Sequence, residues 1–184
     1  MSDFPFHTAE TAPEASKPLI ERSIATFGRL PGLHSVMAES PELLETYQTA
    51  HALFQKTSFN AEELTVVWQT INVENECHYC VPAHTGIAHM MKVDPAIIDA
   101  LRDETPLADP KLEALRSFTL SVVRDRGFLS DATVSAFLEA GYTRKNMLEV
   151  VLGYSQKIMS NYVNHMAQTP VDEPFQKFAW TRSK

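Results

Sequence analysis

Apolar residues recur along this chain at intervals of three and four, in blocks separated by proline, glycine and short polar residues, which is the pattern of amphipathic helices and not of strands. In "PEASKPLIERSIATFG", Ile20, Ile24 and Phe27 fall on one face and Gly28 stands where a C-terminal stop belongs. "RLPGL" then reads as a short turn. Ser40 with Pro41 is an N-cap followed by proline in the first turn, predicting a helix through Leu43, Leu44, Tyr47 and Leu53 to near Lys56. Asn60 and Glu63 have capping-box spacing and open a helix carrying Leu64, Val67, Trp68 and Ile71. Asp94-Pro95 starts a short helix to about Leu101, and Asp109-Pro110 a longer one through Leu112, Leu115, Phe118 and Val122 to Gly127. Ser130 opens a helix through Val134, Phe137 and Leu138 that Gly141 closes, and Thr143 opens the longest apolar stretch, "MLEVVLGYSQKIMSNYVNHM". "QTPVDEPFQKFAW" reads as extended chain with a last helical turn. The expectation is a polar N-terminal tail over residues 1–12 and one all-α domain of seven to eight helices over residues 13–184.

Composition agrees with a packed domain, since 44% of the 184 residues are hydrophobic and 21% charged. A formal charge of -7 argues against nucleic acid as a partner, because phosphate backbones are bound by Lys and Arg. No apolar run approaches the roughly 20 residues that span a bilayer, and the first residues lack the basic and apolar regions of a secretory signal, so no membrane partner and a cytoplasmic location are expected. "VVLGYSQKIM" is apolar on more than one side, which predicts burial all round and hence a homo-oligomer.

The chemistry concentrates in "NVENECHYCVPAHTGIAH", which holds both cysteines of the chain, Cys77 and Cys80. In a reducing compartment a lone Cys-x-x-Cys points to redox or metal chemistry before a structural disulfide. Pro82 is tolerated only in a first helical turn, so a helix starts close to the cysteines and Cys80 meets its free N–H groups and positive dipole end, where a thiolate is favoured. His84, four residues on, shares that face and can take the thiol proton. A zinc site built from Cys77, Cys80, His84 and one of His78 or His89 is the rival reading, weakened because all ligands lie in one segment; His78 and His89 read as surface histidines. Glu74 and Glu76 read as solvated, the alternative being that one tunes a thiol. "SNYVNHM" sets Asn161, Asn164 and His165 in an apolar helix, for buried hydrogen bonding, a pocket or an interface.

"NECHYCVPAH", together with "FGRLPGLHSVMAESPELLETY" and "SNYVNHMAQTPVDEPF", resembles the AhpD-like alkylhydroperoxidase branch of the carboxymuconolactone decarboxylase superfamily, in its peroxidase-related subgroup. The resemblance implies an all-helical fold, assembly into dimers, trimers or hexamers, and reduction of a hydroperoxide substrate without a bound cofactor or metal. Cys80 would be the reactive thiol, Cys77 its disulfide partner and His84 part of a proton relay, with an external dithiol, such as a lipoyl-type carrier, returning the electrons. Two positions depart from the family pattern. Its glycine before the first cysteine is Glu76 here, and its relay glutamate falls on Thr65. Candidates for the relay are therefore Thr65 itself, Glu63 and Glu74. Two other activities remain open: a lactone-acid lyase like the other branch of the superfamily, and a non-enzymatic helical binding module.

Overall fold

The computed structural model describes residues 3–182, and every regular element in it is helical. Nine α-helices follow in order: α1 (Lys17–Phe27), α2 (Gly32–Met37), α3 (Pro41–Phe54), α4 (Ala61–Glu74), α5 (Cys80–Met90), α6 (Pro95–Arg102), α7 (Pro110–Arg124), α8 (Asp131–Glu139) and α9 (Arg144–Ala167). Short 3-10 turns at Glu14–Ser16 and Glu173–Phe178 flank them. The expected caps are present. The Ser40, Asp94, Asp109 and Ser130 side chains each accept an N–H of the following first turn, and Asn60 with Glu63 closes a reciprocal capping box. Thr143 and Asn146 form a second box that the sequence pattern did not single out.

Three expectations are corrected. The "RLPGL" turn runs into α2, whose six residues are too few to show a period but bury Leu33, Val36 and Met37, so tertiary contact makes the helix. In α1 the buried residues are Ile20 and Ser23, while Ile24 and Phe27 are exposed, because the helix lies at the edge of the domain. α4 buries every residue from Glu63 to Val73 and not one stripe, since α5, α6, α7 and α9 surround it.

That central position makes α4 the post of the single domain. One side joins a core with Trp68, Ile71, Leu115, Phe118 and Phe137, and the other faces a second core in which Leu44, Tyr47, Val163 and both cysteines meet. The N-terminal segment docks on the second core through His7, whose N–H reaches the Ser35 carbonyl at 3.2 Å and whose own carbonyl accepts from the Ser35 hydroxyl at 2.6 Å. At the other end, residues 169–182 lie as a strap along α5: Phe175 and Phe178 cover Gly86, and Arg182 pairs with Glu104 and Glu76. No helix among the described residues is long and apolar enough to cross a membrane.

Candidate active site

α5 begins at Cys80 itself, so the sulfur stands at the helix N-terminus as the position of Pro82 requires. Cys77 sits one turn earlier, with the Cys80 N–H on its sulfur at 3.3 Å. Both are free thiols and buried, but only Cys80 lines the neighbouring cavity. A hydrogen-bonded girdle of amides fixes this turn: Asn72 reaches the Cys80 carbonyl at 3.4 Å and Gln69 at 3.0 Å, and Asn161 in α9 donates to Asn72 at 3.1 Å. Three buried amide side chains in a row would be costly without partners; bonded to one another, they hold the Cys-x-x-Cys turn between α4 and α9.

The Cys80 sulfur is surrounded by donors from α9. The Asn164 amide lies 3.3 Å away, and Asn161, Ser160 and the Cys77 thiol also bond to it. Burial pushes the Cys80 thiol up, yet these bonds and the Lys157 cation outweigh it and hold Cys80 below the ordinary thiol range. Cys77 moves the other way, because its proton is held by Cys80 and burial disfavours a second negative charge. The two thiols are thus pushed in opposite directions, and a negative charge is favoured on Cys80 over Cys77.

Lys157 is fully buried in α9, and its Nζ lies 3.0 Å from Nε2 of His84. Burial, Lys157 and His51 together push His84 far below the usual histidine range, so it is neutral. A neutral ring that accepts the lysine N–H at Nε2 carries its hydrogen on Nδ1, and that atom is buried with no partner. His84 therefore lies beside the cavity with Cys80, as the helical spacing predicts, but its bond is to the lysine. His51, with another unpartnered buried Nδ1, and His34 line the same cavity; both are pulled down to about 4, burial being the main cause. Rings stack from Tyr47 through His51 to Trp68, and His84 lies tilted against Trp68, with successive centroids 6.2, 5.4 and 4.9 Å apart.

None of the three relay candidates reaches the dithiol. Thr65 is buried but gives its hydroxyl to the Ala61 carbonyl at 2.9 Å, Glu63 caps its own helix and pairs with Lys111 at 3.3 Å, and Glu74 takes two 2.7 Å bonds from Arg124. The Arg124 bonds also hold the Glu74 carboxyl below its usual range. The charged group beside His84 is Lys157 instead. It sits in "YSQKIMSN" with no acid three or four residues away on either side, which is the one local sign that its partner comes from another helix. Of the amide cluster, Asn161 and Asn164 face the cysteines while His165 is exposed and stacks on Tyr162. His78 and His89 are exposed, the first near the Thr169 carbonyl and the second on Phe178. Among the described residues no three His, Cys, Asp or Glu side chains gather as metal ligands would.

The cavity beside Cys80 has a volume of about 820 Å3, in the range that accepts a small organic molecule. Cys80, His84, Lys157, Tyr47 and His51 line it together with Phe27, Leu33 and Phe175.

The chain has the fold of the AhpD core. The chain is similar to the AhpD core of a peroxidase-related protein from Ralstonia eutropha JMP134 with a TM-score of 0.82 and 18% identity, over 94% of this chain and 93% of that one. A peroxidase-related protein from Silicibacter sp. TM1040 superimposes with a TM-score of 0.78 and 16% identity over 94% and 92% of the two chains. The debrominase Bmp8, solved as a cysteine-to-alanine variant with 2,3,4-tribromopyrrole, gives 0.79 and 13% identity over 96% and 95%. No family model matches the sequence, nor does any curated protein.

Proposed function

We propose that the protein is an oxidoreductase that reduces organic hydroperoxides through a Cys77–Cys80 dithiol cycle, in antioxidant defence in the cytoplasm. The observation that carries this reading is a cavity-facing Cys80 at the start of α5, with the Asn164 amide on its sulfur and Cys77 bonded behind it. The Cys80 thiolate attacks the outer peroxide oxygen, the O–O bond breaks, and Cys80 leaves as a sulfenic acid once the departing alkoxide takes a proton and becomes an alcohol. The thiol of Cys77 then attacks the sulfenic sulfur; water departs and the disulfide forms. An external dithiol reduces it, lipoyl-type carriers being of the right chemistry. Lys157, which lines the cavity and bonds His84, offers the proton for the alkoxide, in place of the relay glutamate that the family pattern carries.

The fold of the debrominase and the ring-lined cavity favour a second reading with the same atoms. A bromoaromatic would give its bromine to Cys80, the ring carbon would take a proton, and Cys77 would displace bromide to form the disulfide. The two are separated by offering reduced protein cumene hydroperoxide or 2,3,4-tribromopyrrole with dithiothreitol as reductant. The peroxidase reading requires catalytic loss of the hydroperoxide by wild type and none by Cys80→Ser; turnover of the bromopyrrole alone would replace it with the second.

We also propose a homo-oligomer built on α9, whose outward residues Leu148, Val151, Tyr162 and Met166 recur at helical spacing and are each about half exposed or more.

A further inference from the structure

The cavity beside Cys80 is lined by more cations than anions. Arg22, Arg29 and Lys56 line it at the surface and Lys157 at depth, against a single acid, Asp172, in a chain with 16 basic and 23 acidic residues. Asp172 is already committed: the Tyr79 hydroxyl donates to it at 2.6 Å, the Gly32 N–H at 3.1 Å and Arg29 at 3.3 Å. Arg22, by contrast, bonds only a neutral partner, the Gln48 carbonyl oxygen, and no acid pairs with Lys56 among the described residues. Two exposed cations thus stand over a cavity walled by Phe27, Leu33, Leu53, Ile87, Met90 and Phe175. Phe27, Leu53 and Met90 are themselves 46%, 51% and 68% exposed, an apolar rim that water covers at a cost.

A ligand that matches this surface has an apolar body and an anionic end. Resting on the peroxidase reading of the same cavity, we propose that the substrate is the hydroperoxide of a carboxylic acid with an apolar chain, its carboxylate on Arg22 and Lys56 and its hydroperoxide group at Cys80. The charges select by attraction at the mouth, where partial exposure leaves each contact modest and salt-sensitive, while the walls supply non-selective affinity. Neutral hydroperoxides then remain substrates, at lower efficiency.

The test joins a binding arm to a turnover arm. Reduced wild-type protein is loaded with the fluorescent acid 11-(dansylamino)undecanoate, and displacement by decanoate is compared with displacement by 1-decanol. Decanoate should act at a roughly 10-fold lower concentration, a margin expected from two exposed ion pairs. The gap should fall to about 2-fold in the doubly substituted Arg22→Ala, Lys56→Ala protein and shrink in 0.5 M salt, beyond about one Debye length. In turnover, a hydroperoxy fatty acid should exceed its methyl ester in kcat/KM by a similar factor. Equal displacement by acid and alcohol, or a preference that survives the double substitution, overturns the proposal even if cumene hydroperoxide is reduced. Preferential decanoate binding with no oxidation of the cysteines by any hydroperoxide would instead leave the anion site standing and remove the peroxidase reading.

Discussion

At the scale of single residues, the chemistry turns on a buried lysine. The ammonium of Lys157 opposes the burial that would otherwise neutralise Cys80, and its contact with His84 gives that ring a defined tautomer. Replacing it by a chain of similar length without charge, Lys157→Met, should raise the Cys80 thiol from about 5 by roughly one to two pH units and slow peroxide reduction mainly below pH 7, with recovery as the pH rises through 7. Iodoacetamide alkylation against pH reads the shift directly, and an unchanged profile would remove Lys157 from the account. The neutral histidines give a second expectation. An unfolded chain protonates His34 and His51 near 6.5, whereas the folded one does so only at about 4, burial being the largest cause in each. Stability is therefore full above about pH 6.5 and falls as the pH drops toward 4, by about 3 kcal/mol per histidine. His51→Phe keeps a ring between Tyr47 and Trp68 and should flatten this loss; urea midpoints at pH 7 and pH 4.5 with the same difference in both proteins would contradict it.

At the scale of elements, two glycines allow helices and strap to approach. A Cβ on Gly153 in α9 would stand 2.7 Å from Phe54, a ring in the core with no space to yield. Gly153→Ala should cost about 1–3 kcal/mol through overpacking, seen as a lower urea midpoint at unchanged slope. A Cβ on Gly86 meets the Phe175 ring at 2.5 Å, so Gly86→Ala should instead push the strap off α5 and raise proteolysis or hydrogen exchange over residues 172–178 while leaving the core amides protected. The helix boundaries were legible because their signals are local: Ser40-Pro41, Asp94-Pro95, Asp109-Pro110 and the Asn60–Glu63 box each satisfy an N–H within three residues. α2 was not, because six residues carry no period, and neither was the full burial of α4, because Gln69 and Asn72 look solvent-facing until α5 and α9 supply their neighbours.

The same distinction between local and long-range decides what the sequence tells of the site. Cys77, Cys80 and His84 stand within eight residues, so their spacing and Pro82 place them together without any knowledge of the rest. Lys157 lies 73 residues from His84 and Asn164 lies 84 from Cys80, and only the return of α9 past α5 joins them. Thr65 was a relay candidate because the resembled family's glutamate falls on it, with Glu63 and Glu74 beside it as acids, yet α4 turns Glu63, Thr65 and Glu74 to a cap, a backbone carbonyl and an arginine. Viewed as a whole molecule, α9 carries an outward stripe of exposed apolar residues, Leu148, Val151, Tyr162 and Met166. A Leu148→Glu, Tyr162→Glu protein should run as a monomer in light scattering where the wild type runs as an oligomer; a monomeric wild type at micromolar concentration would contradict the assembly.

The central claim is that Cys80 attacks and Cys77 resolves. Mass spectrometry of the reduced protein before and after one equivalent of cumene hydroperoxide tests it most directly, with Cys77→Ser and Cys80→Ser alongside. The account predicts loss of two hydrogens in the wild type, a trappable sulfenic acid in Cys77→Ser and no change in Cys80→Ser. A sulfenic acid on Cys77 in the Cys80→Ser protein, or a wild type that stays reduced, would contradict it.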